Sequence, residues 1–94
     1  LAQKNALAKA QQDLKTMPFS YEGLVKQLEY EKFSEEDARF AAENCGANWN
    51  EQAAKKAKQY LQSMSFSREG LKNQLLYEKF TEEQAEYGVT QVGY

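Results

Sequence analysis

The segment FSYEGL, residues 19–24, recurs 47 residues later as FSREGL, residues 66–71. With the same offset, residues 6–47 and 53–94 share 21 identities in 42 positions without a gap. The chain is therefore two tandem copies of one unit, and we place the first repeat at residues 1–47 and the second at residues 48–94. A unit of this size buries little surface alone, so we expect packing between the copies to add stability.

Each copy shows the sequence pattern of three short helices. Serine or threonine precedes an apolar helical stripe at four helix starts, and these N-caps are Ser20, Ser34, Ser67 and Thr81. Thr81 followed by Gln84 also matches a capping box. The first helix of each copy is predicted over 6–16 and 51–64, with Asn50 as the N-cap of the latter and Trp49 as its hydrophobic staple.

The second and third helices of each copy are joined by three residues, 31–33 and 78–80, which predicts a helix-turn-helix corner. No strand pattern competes, so the predicted fold class is all-α, with two three-helix repeats joined through a shared connecting helix. The first-helix stripes are predicted to end in Met17 and Met64. Because glycine weakens a helix, Gly23 and Gly70 suggest close contact with another helix.

The chain contains no histidine and one cysteine, Cys45. It therefore lacks the commonest general base and the favoured transition-metal ligand, and no disulfide can form within it. Glu35 and Glu36 are adjacent on a helix and point about 100° apart, which does not suit a glycosidase. We therefore expect no enzymatic activity, no metal and no cofactor. No apolar run is long enough to cross a bilayer.

Acidic residues are concentrated at the start of each third helix. The predicted protein-binding acidic face consists of Glu35, Glu36, Asp37, Glu82, Glu83 and Glu86. Carboxylates at a helix N-terminus also stabilise the helix dipole, so capping alone is an alternative explanation. Each third helix has a net charge of −3, which would repel DNA phosphates from a reading helix. We therefore expect no nucleic-acid partner, and a DNA-binding helix-turn-helix protein is the less favoured interpretation.

Other residues allow both a packing and a binding role. Cys45 corresponds to Val92 in the second copy and is predicted to lie in the core. Trp49 lies at the junction of the copies, where packing is favoured over a binding anchor. For Tyr21, Tyr30 and Tyr77 the sequence leaves surface contact and corner packing equally open.

The pattern A-x3-A-x3-L-x2-M-x-F-S-x-x-G-L-x2-Q-L-x-Y-E-x-F-[ST]-x3-A occurs in both copies, which are joined through residues 48–50. It resembles the repeat of the Ltp family, the host cell surface-exposed lipoproteins of Gram-positive bacteria and their phages. The resemblance covers essentially the whole chain. Lys32 and Lys79 stand where many members carry glycine, and Asn48 where many carry aspartate.

The resemblance implies a protein on the extracellular face of the cytoplasmic membrane, held there by an N-terminal lipid anchor that this chain does not contain. Phage-encoded members resemble superinfection-exclusion proteins, which block entry of a second phage's DNA by engaging its tape measure protein. We therefore predict a non-enzymatic, monomeric binding module that contacts a basic segment of that protein. The alternative is a bacterial cell-envelope interaction repeat without a phage role.

Overall fold

The structure is a computed structural model that describes all residues from Leu1 to Tyr94, and it contains six α-helices and no strand. The helices are α1 (Ala2–Thr16), α2 (Tyr21–Tyr30), α3 (Glu35–Asn44), α4 (Trp49–Ser63), α5 (Arg68–Tyr77) and α6 (Glu82–Gln91). Helices α1–α3 pack together as one three-helix unit, and α4–α6 pack as the other. The predicted all-α class with two three-helix repeats is confirmed.

Four helices begin at the predicted N-caps. Each cap's side-chain oxygen accepts a hydrogen bond from the backbone N–H three residues later, and the caps are Ser20, Ser34, Ser67 and Thr81. The capping box is present, because Gln84 N–H donates to Thr81 Oγ1 at 3.2 Å and Thr81 N–H donates to Gln84 Oε1 at 2.9 Å. Local side-chain chemistry thus determines these helix starts.

The starts of the two long helices differ from the predictions. Helix α1 begins at Ala2, four residues before the predicted position. Helix α4 is capped by Asn48 rather than Asn50, because Asn48 Oδ1 accepts from Glu51 N–H at 3.1 Å. Trp49 is therefore the first helical residue and not a staple preceding the helix.

Helices α2 and α5 are each followed by a tight turn in which a lysine adopts the left-handed backbone conformation. Lys32 has φ 81° and Lys79 has φ 78°. The next N–H reaches back to the helix, from Phe33 to Leu28 O at 3.1 Å and from Phe80 to Leu75 O at 3.2 Å, as in a Schellman cap. A non-glycine residue is strained there, because its Cβ crowds the backbone in the left-handed region.

Each repeat has its own hydrophobic core. In the first repeat, Leu24 and Leu28 of α2 pack among alanines of α1 and α3, and in the second, Leu71 and Leu75 take the equivalent places. The third helices complete these cores with Ala38, Ala41 and Ala42 in the first and with Ala85 and Val89 in the second. The stripes of α1 and α4 end earlier than predicted, because Met17 and Met64 are 41% and 56% exposed.

The glycine that marks a close contact between helices is Gly88, on α6, and not the predicted Gly23 or Gly70. A Cβ on Gly23 or Gly70 would meet mainly the Oγ of the preceding N-cap serine, so the predicted contact with another helix is wrong. A Cβ on Gly88 of α6 would lie 3.0 Å from the backbone of Ala53 on α4. The missing side chain at Gly88 therefore lets α6 approach the backbone of α4.

The first turn of α4 connects the two repeats. The rings of Trp49 and Tyr21 meet edge to face with centroids 5.7 Å apart, and Trp49 packs against the first core. Phe19 N–H donates to Gln52 Oε1 at 3.0 Å. Outside α4, Ser20 Oγ donates at 2.5 Å to the carbonyl oxygen of Glu78, the C-cap of α5. The rest of α4 packs along α6 and α5, so the connecting helix contacts the first repeat mainly through its N-terminal end.

Candidate protein-binding surface

The predicted acidic face lies at the N-terminal ends of α3 and α6, one in each repeat. Glu35, Glu36 and Asp37 form the first turn of α3, and Glu82 and Glu83 begin α6. Their placement follows from the N-caps, because a serine or threonine cap puts the next three residues beside the free backbone N–H groups. The six predicted residues therefore form two separate groups, and one group belongs to each three-helix repeat.

In the first repeat, a single arginine neutralises part of this group. Arg39 Nε donates to Glu35 Oε2 at 3.1 Å, and its two terminal nitrogens donate to the carboxylate of Glu22 at 3.1 and 3.3 Å. The hydrogen bonds to Glu22 raise the pKa of Arg39 above its usual value. Glu36 is exposed and has no ion-pair partner, so α3 keeps an unneutralised acidic edge at Glu36 and Asp37.

In the second repeat, the neighbouring helix supplies basic partners. Lys72 Nζ lies 2.7 Å from Glu82 Oε1 and 3.3 Å from Glu86 Oε1, and Arg68 also pairs with Glu86. Hydrogen bonds from Arg68 and Lys72 lower the pKa of Glu86, and those to Glu82 and Glu86 raise the pKa of Lys72. The charge of −3 counted on α6 alone therefore overstates the local negative charge. Only the tertiary structure shows these partners, which lie on α5.

The two repeats also differ in total charge. Residues 1–47 contain six basic and eight acidic residues, whereas residues 48–94 contain six of each. The whole net charge of −2 therefore belongs to the first repeat. A basic partner approaching by diffusion would be attracted mainly to α3, where Glu36 and Asp37 remain unpaired.

Two tyrosines at equivalent positions extend into solvent. Tyr30 at the end of α2 is 80% exposed, and Tyr77 at the end of α5 is 77% exposed. Tyr21, in contrast, packs on Trp49, and its hydroxyl donates to Glu43 Oε2 at 3.0 Å. The structure thus resolves the open choice: Tyr21 packs at the junction, and Tyr30 and Tyr77 are available for contact. Trp49 and Cys45 both pack against the first core, and Cys45 is half-buried.

No group of three or more histidine, cysteine or acidic side chains is arranged to hold a metal ion. One open groove of about 590 Å³ lies between the C-terminal ends of α4 and α6, lined by Lys58, Leu61, Gln62, Gln91, Val92 and Gly93. Its lining contains no carboxylate, cysteine or serine. No helix combines the length and the apolar character needed to cross a bilayer. The acidic edges and the exposed tyrosines are the surfaces that distinguish this molecule chemically.

Residues 2–45 and 48–92 each match the family model described as host cell surface-exposed lipoprotein. The chain belongs to this family. The two matches cover both three-helix repeats, as the resemblance of the sequence implied, and the family is one of surface lipoproteins rather than one known for enzymes.

A solved structure gives a second comparison for this surface lipoprotein. It is Ltp, a superinfection exclusion protein from the Streptococcus thermophilus temperate phage TP-J34. The match has a TM-score of 0.89 at 38% sequence identity and covers 95% of this chain and 93% of that one. Comparison with curated proteins finds no match. At this identity and coverage, the phage protein shares both the fold and the tandem arrangement of the repeats.

Proposed function

We propose that this surface lipoprotein is a non-enzymatic binding module that excludes a second phage from an infected host cell. The observation that carries the proposal is the similarity to the superinfection exclusion protein over 95% of the chain. The proposal fits a molecule that has two small apolar cores and exposed acidic and tyrosine side chains on its surface.

The proposed partner is a basic segment of the tape measure protein of the incoming phage. The unpaired carboxylates Glu36 and Asp37, together with the net charge of the first repeat, favour a positively charged segment. Such a segment would be attracted at long range, so its association rate would fall as salt rises. The acidic face Glu35, Glu36, Asp37, Glu82, Glu83 and Glu86 is the proposed contact surface, and the unneutralised edge of α3 is its strongest part.

We propose that the protein acts as a monomer, because the aromatic pair in the contact between the repeats is not reproduced at the outer ends. That contact pairs Tyr21 with Trp49, and the 47-residue offset places Arg68 and Ala2 at the equivalent positions. Arg68 and Ala2 cannot form an aromatic pair. A second chain that packed end to end on this one would therefore lack the aromatic contact that joins the two repeats. Sedimentation should show one species of 10.8 kDa at all concentrations, and growth of mass with concentration would contradict this.

Charge reversal tests the proposed contact surface. A variant with Glu36→Lys and Asp37→Lys should associate several-fold more slowly with a basic tape-measure peptide at low salt. The matched control is Glu51→Lys with Glu69→Lys, which reverses two charges at exposed carboxylates outside the proposed contact surface and should leave the association rate closer to that of the wild type. Stopped-flow association rates at low and high salt measure the effect, and circular dichroism checks that the helices remain. Equal rates for all proteins at both salts would mean that the carboxylates only stabilise helix ends.

Phage plating tests the biological role. Cells that display the anchored protein should admit less DNA from a second phage than cells without it, and the variant with Glu36→Lys and Asp37→Lys should protect less. Unchanged DNA entry for every phage tested would reject superinfection exclusion. The cell-envelope interaction repeat without a phage role would then be the better interpretation.

A further inference from the structure

A buried polar cluster joins α1 to the end of α2 in the first repeat. Asp13 lies on the inner side of α1 and is only 7% exposed. Lys9 Nζ lies 3.0 Å from Asp13 Oδ1 and 3.3 Å from Glu31 Oε2. Gln27 Nε2 also donates to Glu31 Oε2 at 3.0 Å. The single ammonium group of Lys9 therefore forms ion pairs with two carboxyl groups.

The other oxygen of each carboxyl group has no partner. Asp13 Oδ2 and Glu31 Oε1 are both buried and accept no hydrogen bond, although the two side chains lie within hydrogen-bonding reach of each other. Two ionised carboxylates beside one ammonium would leave a buried negative charge uncompensated. A proton held between the two carboxyl groups would join them by a hydrogen bond and make the cluster neutral.

We propose that Asp13 and Glu31 share one proton taken from solvent, and that this proton makes the docking of α1 on α2 dependent on pH. With the proton present, a hydrogen bond joins the two helices. When it is lost to water, two like charges face each other across the same contact and the first repeat loosens. A surface-exposed protein experiences the pH of the medium directly, so this cluster would couple the first repeat to the conditions outside the cell.

The expected dependence of the first repeat's stability on pH follows from the pKa shifts of Asp13 and Glu31. Burial raises the pKa of Asp13 and Glu31 adds to the rise, while Lys9 opposes it. Burial also acts to raise the pKa of Glu31, but hydrogen bonds from Gln27, Asp13 and Lys9 outweigh it and lower that pKa.

Because the pKa of Asp13 is raised in the folded state, Asp13 stabilises the fold at pH values below the ordinary Asp pKa of about 3.9. This stabilisation is lost as the pH rises through the pKa of Asp13 in the folded state. Because the pKa of Glu31 is lowered in the folded state, Glu31 stabilises the fold at pH values above the ordinary Glu pKa of about 4.3. This stabilisation is lost as the pH falls through the pKa of Glu31 in the folded state. The first repeat should therefore be most stable at mildly acidic pH and weaken towards neutral pH.

The surroundings contain no further charge that would compensate the pair. Lys9 on α1 and Glu31 at the end of α2 are the charged groups that act on Asp13. Helix α3, which packs on α1, buries Ala38, Ala41 and Ala42.

The second repeat provides an internal comparison. Tyr60 stands at the position equivalent to Asp13, and its hydroxyl donates to Glu78, the equivalent of Glu31. Gln74 Nε2 in turn donates to Tyr60 Oη at 3.1 Å. A phenol stays protonated to about pH 10, and burial raises the pKa of Tyr60 further. The second repeat therefore keeps its hydrogen bond throughout the range in which the first repeat titrates.

Carbon-detected NMR of the side-chain carboxyl groups tests the shared proton directly in the intact chain. Asp13 should titrate above the ordinary Asp value and Glu31 below the ordinary Glu value. In Glu31→Gln the midpoint of Asp13 should fall, because the negative neighbour is removed while Lys9 remains. Ordinary midpoints in the wild type, or an unchanged Asp13 midpoint in the variant, would overturn the proposal.

Asp13→Asn tests the consequence for stability, because its amide can donate permanently to the Glu31 carboxylate while its oxygen accepts from Lys9. The unfolding midpoint of the wild-type first repeat should fall as pH rises above the ordinary Asp value through the folded value, and that of Asp13→Asn should stay level over the same range. Amide resonances of the second repeat serve as the reference within the same molecule. Parallel pH profiles for the two proteins would refute the pH-dependent docking.

Discussion

Replacing Leu75 by alanine should unfold the second repeat selectively. Leu75 is fully buried in the second core, so the change removes three carbon atoms from a closed site. At about 0.8 kcal/mol per methylene the transfer cost is roughly 2.4 kcal/mol. The residual cavity raises the total to about 2–5 kcal/mol. A unit of 47 residues has about 2–7 kcal/mol of stability in all, at about 0.05–0.15 kcal/mol per residue.

The loss should therefore consume most of the stability of α4–α6, while α1–α3 keep their separate core. Thermal unfolding followed by amide NMR spectra would show the second-repeat resonances disappearing first. Leu28→Ala should instead make the first-repeat resonances disappear first. Met64→Ala, at an exposed position, should change the melting temperature little. An unchanged melting temperature for Leu75→Ala would refute the assigned core. Simultaneous unfolding of both repeats would refute their independence.

Gly88→Ala should lower stability by about 1–3 kcal/mol in spite of better helix propensity, because the new Cβ would lie 3.0 Å from the backbone of Ala53. Ala41→Gly, at the equivalent place in the first repeat, should cost about 1 kcal/mol, and chemical denaturation compares the two. Trp49→Ala should move the unfolding of the two repeats further apart, because it removes the edge-to-face contact that links them, and an unchanged separation would contradict this. Lys79→Gly should raise stability by about 1 kcal/mol because φ is 78° there, and calorimetry of the variant checks the sign.

The helix boundaries show which local features a sequence can reveal. The N-caps at Ser20 and Thr81 were predicted correctly, because a cap depends on a side chain and a backbone N–H only three residues away. The start of α4 was misplaced by two residues, since Asn48 and Asn50 are chemically equal as caps. Choosing between them depends on where Trp49 packs, and Trp49 packs on the other repeat.

The position of the candidate surface could be predicted from the sequence, but its local negative charge could not. The acidic residues were found because they follow recognisable helix starts. Their neutralisation was missed, because Lys72 and Arg68 precede α6 by ten and fourteen residues and meet its carboxylates only after α5 packs against α6. The same reason hid the pair of Asp13 and Glu31, which lie on different helices and 18 positions apart.

The sequence by itself determined the repeat, the all-α class, the core stripes and the family. These features are encoded by periodicity and by short-range hydrogen bonds, and the 47-residue offset displays each of them twice. Only the tertiary structure decided which carboxylates are paired, that Gly88 permits the approach of α6 to α4, and that the first turn of α4 connects the repeats. Those features depend on distances between residues far apart in the chain, which arise only when the helices pack.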